Sequence, residues 1–230
     1  MSNDEIAKQY DDFSVTYSDN LRDQDKIGNG KFYEIISTLD FKNKKLLDIG
    51  CGDGSDLLNY QEMGAMPVGL EPSLEFIKQA KSKSAHLEII QGVGENLPFE
   101  DNSFDIVVSK YALQNMIDVP KVFEETARVL KKNGYLVILS KHPIRQFLEK
   151  VKTYDGKEIN YFEQKIVDSY IYEKKIHLRE PTHTFAEYFS AKVLKNFDLL
   201  EFIEDFDFPA SEQIDNFIYP TFFVAKYLRR

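Results

Sequence analysis

The sequence predicts an α/β fold, a parallel sheet wound with helices on both faces. Three observations carry this. Lys45 to Ser55 reads KLLDIGCGDGS, an apolar run closed by glycines at positions 50, 52 and 54, which is how a fully buried central strand ending in a tight turn is written. Strand-like and helix-like patterns then alternate as far as Ser140. The chain has 230 residues and no linker, repeat or low-complexity tract, which suits one domain with an insertion.

Composition narrows the function. Cys51 is the only cysteine, so an internal disulfide and a cysteine-based zinc site are ruled out, and no metal is expected. The opening MSNDEIAKQY lacks the apolar core of a signal peptide, and no run approaches the ~18 apolar residues of a membrane span. A soluble, cytoplasmic protein with no membrane partner is expected. The formal net charge is −9 with no dense block of Lys and Arg, which disfavours nucleic acid as a substrate.

The elements follow in order. Ile6, Tyr10 and Phe13 share one helical face, so residues 4 to 13 are expected to form a short helix ahead of the sheet. An irregular polar stretch runs to Gly30, and a helix over Lys31 to Leu39 buries Phe32, Ile35, Ile36 and Leu39. The strand from Leu46 to Ile49 enters the glycine loop. There glycine permits φ > 0 and lets a ligand approach where a Cβ would intrude. The helix from Ser55 to Met63 turns its N-terminal N–H groups toward that ligand. A nucleotide cofactor is the natural candidate, but the dinucleotide fingerprint requires a third glycine where Ser55 stands. A nicotinamide dehydrogenase is therefore disfavoured.

Met66 to Leu70 is the second strand, and Glu71 stands at its end, about 20 residues past the first, where a carboxylate can accept bonds from both ribose hydroxyls of an adenosine. Pro72 and a capping Ser73 follow. Leu87 to Gln91 is the third strand, and Ile106 to Val108 belongs to the fourth. A helix carrying Val122, Phe123, Thr126, Val129 and Leu130 on one stripe is expected to close on Gly134 as a left-handed cap, before a fifth strand from Tyr135 to Ser140. Beyond His142 the alternation lapses for about 40 residues, as in a functional lid. Thr184 and Glu187 then make a capping box for a helix through Val193, and Phe197 to Phe206 and Phe222 to Leu228 read as the last strands.

Asp48 followed by Gly50, Gly52 and Gly54, an acid two residues before G-x-G-x-G, resembles the first motif of class I S-adenosylmethionine-dependent methyltransferases. Glu71-Pro72 resembles the second. The loop GVGENLPFEDNSFD, through Glu95, Leu97, Pro98, Phe99, Phe104 and Asp105, resembles the type-11 methyltransferase domain, with Val93 where that family usually carries an acid and Gly94 where it carries alanine.

The resemblance implies a Rossmann-like, seven-stranded sheet whose antiparallel last strand lies between the fifth and sixth, with residues 209 to 220 as the connecting hairpin region. It implies a single domain divided into an N-terminal helical cap (1–40), a cofactor-binding core (41–141), a lid insertion (142–182) and a C-terminal helix with the last strands (183–230). The implied cofactor is S-adenosylmethionine, with S-adenosylhomocysteine as product. Its site would comprise Asp48, Gly50, Cys51, Gly52, Glu71, Pro72, Gly94 and Glu95, with Ser109 and Lys110 against the methionine moiety and Tyr10 or Tyr17 folding over that end. INYFE at 159–163 and THTFAEYF at 182–189 resemble the lid of a subgroup of small-molecule methyltransferases.

Methyl transfer from a sulfonium is a direct displacement and needs no triad. An acceptor that loses a proton would profit from a base, and His142 and His183 are the candidates, with His177 third. A small-molecule acceptor is expected. An RNA or protein methyltransferase and a non-catalytic cofactor-binding module are the alternatives, and oligomeric state is not readable.

Overall fold

Alternation of side chains along the first strand sets up the layers. In β1 (Lys45–Ile49), Leu46 faces one side of the sheet and Leu47 and Ile49 the other, and all three are fully buried. The computed structural model describes residues 1–20, 26–157, 159–171, 176–207 and 218–230, without the side chains of 15–20 and 171. The other strands of the main sheet are β2 (Met66–Glu71), β3 (Glu88–Gln91), β4 (Phe104–Lys110), β5 (Leu130–Lys141), β8 (Phe197–Asp205) and β9 (Phe222–Arg229). Their order is β3-β2-β1-β4-β5-β9-β8. Pairings from β3 through β5 are parallel, whereas β9 runs antiparallel to both neighbours, as expected.

On one face α2 (Lys26–Ile36) and α3 (Ser55–Glu62) cover Leu46, Val108, Val137 and Phe222. On the other, α5 (Val119–Val129), α7 (Phe185–Phe189) and α8 (Ala191–Leu194) cover Leu47, Val107, Ile138 and Phe223. Truncating either buried phenylalanine to alanine would cost about 3–5 kcal/mol.

Several elements depart from expectation. The first helix, α1 (Asn3–Asn20), runs well past residue 13, and α2 starts at Lys26, so Gly28 and Gly30 are helical. α5 stops at Val129 and Leu130 already belongs to β5. The left-handed residue there is Asn133 (φ 62°), not Gly134. Gly134 is needed for room, because a Cβ on it would lie 2.8 Å from the Asp105 carbonyl oxygen. The helix expected through Val193 breaks at Ser190 into α7 and α8, although the Thr184–Glu187 capping box is present.

The lid is more regular than its sequence suggested. It contains α6 (Pro143–Thr153) and a hairpin of β6 (Ile166–Ile171) and β7 (Ile176–Pro181), paired antiparallel. Lys141 at the end of β5 anchors this hairpin. Its ammonium, 5% exposed, reaches Glu149 at 3.1 Å, Glu180 at 2.5 Å and Ser169 Oγ at 2.6 Å. Arg145 completes the buried cluster through Glu149 at 3.2 Å. Most of the hairpin region expected at 209–220 lies outside the described residues.

Candidate cofactor and acceptor site

Strand order reverses between β1 and β4, and at such a switch point the loops leaving the strand C-termini part to leave a crevice. Here the crevice is a cleft of about 740 Å³, partly open to solvent. Its floor is the glycine loop. The Gly50 and Cys51 amides donate to the Leu70 carbonyl at 2.8 and 3.1 Å, folding the loop back onto β2. Gly50, Gly52 and Gly54 all take left-handed φ (80°, 53° and 71°). Their surroundings differ. A Cβ on Gly50 would meet Ala112 Cβ at 2.3 Å, whereas one on Gly52 would meet nothing within 4 Å. Gly52 thus borders open space that a ligand can fill.

Glu71 stands at the centre of the cleft wall. Its two oxygens accept from the Gly52 and Ser73 amides, each at 2.9 Å. Each oxygen can accept one bond more, which leaves two acceptor positions for a vicinal diol. Burial pushes the carboxyl up to about 7, against the pull of those two amides. Pro72 and Gly94 also line the cleft, as do apolar Ile6, Tyr10, Phe76 and Met116. Together they form a slot suited to a flat heterocycle. Tyr10 packs 6.3 Å from Phe76, centroid to centroid. Asp11 holds α1 to the start of α4 (Leu74–Lys83), accepting from Ser73 Oγ at 2.6 Å and the Glu75 amide at 3.2 Å.

Glu95 lines the cleft in part for structural reasons. Its Oε1 accepts from the Ile117 amide at 2.9 Å, while its buried Oε2 has no partner. Arg128 and Glu125 pin the Leu97-Pro98-Phe99 stretch: the guanidinium donates to the Leu97 and Phe99 carbonyls at 2.8 and 2.7 Å, and Glu125 accepts from the Leu97 amide at 3.0 Å.

At the other end, Lys110 reaches Asp56 at 2.6 Å, and Tyr33 donates to the same carboxylate at 2.5 Å. Asp48 is buried beneath the loop with Oδ1 unpartnered. Burial above all, and then the Asp56 charge, raise its carboxyl well above the usual range, and Lys110 opposes them. Asp48 does not itself line the cleft.

Other expected site residues are placed elsewhere. Ser109 is fully buried, its hydroxyl donating to the Ile49 carbonyl at 2.9 Å, and it does not line the cleft. Cys51 packs against Gly69, where a Cβ would come within 2.4 Å of its sulfur. Burial raises its thiol, so it stays protonated. The Tyr17 side chain lies outside the described residues.

Neither histidine put forward as a base lines the cleft. His142 caps α6, with Nδ1 accepting from the Ile144 amide at 3.1 Å and Nε2 at 2.7 Å from Glu204. Burial lowers its pKa. His183 lies buried beside Glu187, Nδ1 to Oε2 at 2.6 Å, its amide donating to Gln146. His177 pairs with Asp168 on the exposed hairpin. Residue type suggested a base at these positions, but the backbone sends them into caps and packing. Tyr111, whose sequence position leaves it facing either the site or the core, lines the cleft, as does Asn115, which carried no signal beyond following β4.

Residues 47–138 match the sequence profile of a family described as a methyltransferase domain. That stretch, 92 of the 230 residues, is similar to the type-11 methyltransferase domain. A demethylmenaquinone methyltransferase of Paenarthrobacter aurescens is 33% identical over 145 residues, covering 61% of this chain and 57% of that protein. The ubiquinone/menaquinone biosynthesis C-methyltransferase UbiE of Campylobacter jejuni is 35% identical over 106 residues, 43% of this chain and 45% of that one. The matches thus span about half the length of these relatives. Among solved structures, an S-adenosylmethionine-dependent methyltransferase of Mesorhizobium loti superposes with a TM-score of 0.66 at 18% identity, covering 88% of this chain and all of that one. Another, from Methanosarcina mazei, gives 0.67 at 20%, covering 86% and 97%.

The residues present fit the family's cofactor. Glu71 keeps two acceptor positions, Gly52 leaves room, and Asp48 keeps an unpartnered oxygen under the loop. Among the described residues, no cluster of His, Cys, Asp and Glu is arranged for a metal ion, and no helix is long and apolar enough to cross a membrane.

Proposed function

We propose that this chain methylates a small-molecule acceptor by direct in-line transfer from S-adenosylmethionine. The observation that carries the reading is Glu71: a buried carboxylate with two oxygens tied by backbone and two positions left, facing a slot beside an unfilled glycine. In this reading Glu71 would hold the ribose hydroxyls, the Gly92–Gly94 stretch and Phe76 the adenine, and the glycine loop with Asp48 and Lys110 the methionine end. The bound cofactor supplies an electrophilic methyl group on a positively charged sulfur. What the protein adds is orientation, which can contribute roughly 7–11 kcal/mol in favourable cases.

The net charge of −9 and the roofed cleft, with Asn3, Ile6 and Tyr10 of α1 lining it, support a small acceptor over RNA. The named activity of the relatives makes a reduced quinone the first acceptor to try. Calorimetric titration with S-adenosylmethionine, S-adenosylhomocysteine and NAD tests the cofactor assignment, with binding of the two sulfur ligands and none of NAD expected. Methyl transfer from labelled cofactor to a reduced naphthoquinone, simple phenols and amines then tests the acceptor class. Cofactor binding without turnover on any of them would favour a non-catalytic module.

A further inference from the structure

The pairing register of the sheet puts an acid, a glycine and a base in one row along the cleft. Asp48 of β1 is level with Gly69 of β2 on one side and with Val108 of β4 on the other. Two residues further along each strand stand Gly50, Glu71 and Lys110, and all three line the cleft. With neighbouring strands ~4.8 Å apart, the backbones at Glu71 and Lys110 stand about 10 Å from one another, with Gly50 between them. A ligand held by its ribose at Glu71 thus meets a cation one short aliphatic chain away.

Among the described residues, Lys110 is the one cation that lines the cleft, and the other charged groups there are the acids Glu71 and Glu95. An anionic group on a ligand therefore has one place to go. The ammonium is fixed from behind. Asp56, in the first turn of α3, pairs with Nζ through Oδ2 at 2.6 Å. Tyr33 of α2 donates to Asp56 Oδ1 at 2.5 Å, and Asn59 Nδ2 donates to the Tyr33 oxygen at 3.0 Å. Burial and the Asp56 charge raise the Tyr33 phenol, so it stays a donor. Its ring also faces the ammonium, with Nζ 5.7 Å from the centroid. A lysine stem is flexible and costly to order. Here two helices supply that order ahead of any ligand. An ammonium has three N–H donors, and Asp56 with one ring face leaves it able to donate again.

We propose that Lys110, held in place by Asp56 and Tyr33, is a carboxylate receptor that reads the amino-acid end of the cofactor, so that the site selects nucleosides carrying that carboxylate over those without it. This rests on the methyltransferase reading and names the charged group that fixes the far end of its cofactor. Ribose at Glu71 and carboxylate at Lys110 would suspend the sulfur between two fixed points over the glycine loop, so both residues set its orientation. Asp56 and Tyr33 are positioning residues: neither lines the cleft, and each acts through the Lys110 ammonium.

The test reads binding, not turnover. The protein is titrated by calorimetry with S-adenosylhomocysteine and with its decarboxylated counterpart, 5′-(3-aminopropylthio)-5′-deoxyadenosine, which keeps the adenine, the ribose and the amine. The wild type should prefer S-adenosylhomocysteine by roughly tenfold or more, the size of one charge-assisted hydrogen bond. Lys110→Met should lose the preference because S-adenosylhomocysteine weakens while the decarboxylated ligand stays within twofold. Asp56→Asn and Tyr33→Phe should each cut the preference by roughly threefold or more and leave the decarboxylated ligand unaffected. No preference in the wild type, or a preference that survives in Lys110→Met, overturns the proposal, and so does an equal weakening of both ligands, which marks Lys110 as structural. A full preference in both Asp56→Asn and Tyr33→Phe overturns the positioning role. Failure of both ligands to bind the wild type would instead overturn the methyltransferase reading on which the proposal rests.

Discussion

Replacing Glu71 with glutamine should convert a pH-dependent cofactor site into a weak, pH-independent one. The carboxyl is raised from 4.5 to about 7 because burial disfavours its charge. At ~1.36 kcal/mol per pH unit that is about 3 kcal/mol against ionisation. The sign follows from linkage: the folded state holds its proton longer than the unfolded one, so stability falls as pH rises from about 4.5 to 7 and stays at the lower level above that. Glutamine has no such slope, although its amide nitrogen must face either the Gly52 or the Ser73 N–H, which costs about 1–3 kcal/mol at all pH values. Denaturant titration should therefore find the wild type's advantage over Glu71→Gln smaller by roughly 2–3 kcal/mol at pH 8 than at pH 5.

Ribose hydroxyls donating to the ionised carboxylate favour the charged form. S-Adenosylhomocysteine affinity in the wild type should then rise roughly tenfold from pH 6 to pH 8 and level off, while Glu71→Gln shows no slope and binds about 10- to 100-fold more weakly at pH 8. Calorimetry at four pH values decides. A flat wild-type profile, or an equal slope in the variant, would refute the assignment of ribose to Glu71.

Gly52→Ala should weaken S-adenosylhomocysteine binding at least tenfold with a stability loss of only about 1–2 kcal/mol from the left-handed backbone, while Gly50→Ala, whose Cβ would strike Ala112, should lower the denaturation midpoint further. His142→Ala should cost about 1 kcal/mol or more through the lost α6 cap and leave cofactor affinity unchanged, as calorimetry and denaturation together would show. Because burial lowers the His142 pKa, its contribution to wild-type stability should diminish as pH falls below 6.5, and the variant should lack that acid sensitivity. Lys141→Met would strand Glu180 and leave Glu149 to Arg145 alone, at a cost of about 3–5 kcal/mol; adding Glu180→Gln should recover part of it, measured as a double-mutant cycle in denaturant.

The parts of the fold legible in the sequence were those whose physics is local. A run of apolar residues closed by glycine identified β1 and its loop, and an acid at the end of the next strand identified Glu71, because both depend on neighbours within a few positions. The β6–β7 hairpin was not legible, because its buried Ser169 and Glu180 read as surface residues until Lys141, from 39 positions before Glu180, is seen to pair with them. Gly134 suggested a helix cap on composition, whereas its real constraint is the Asp105 carbonyl of an adjacent strand. The histidines were chosen for their chemistry alone. The contact between Tyr111 and Asp207 was not legible because 96 residues separate them, and the trace it leaves, a glycine at position 28, looks like an ordinary turn residue in a polar stretch.

The placement of α1 has a practical consequence for anyone handling the protein. Asn3 already borders the cleft, and six residues further on Gln9 exchanges hydrogen bonds with the Arg179 backbone at 3.2 and 2.7 Å, so this helix touches both the cleft and the lid hairpin. Arg230, by contrast, follows the antiparallel β9 and bonds to Asn196 at the edge of the sheet opposite the glycine loop. A fluorophore, surface tether or affinity tag joined ahead of Asn3 will perturb the readings it is meant to report, and one joined after Arg230 will leave them alone.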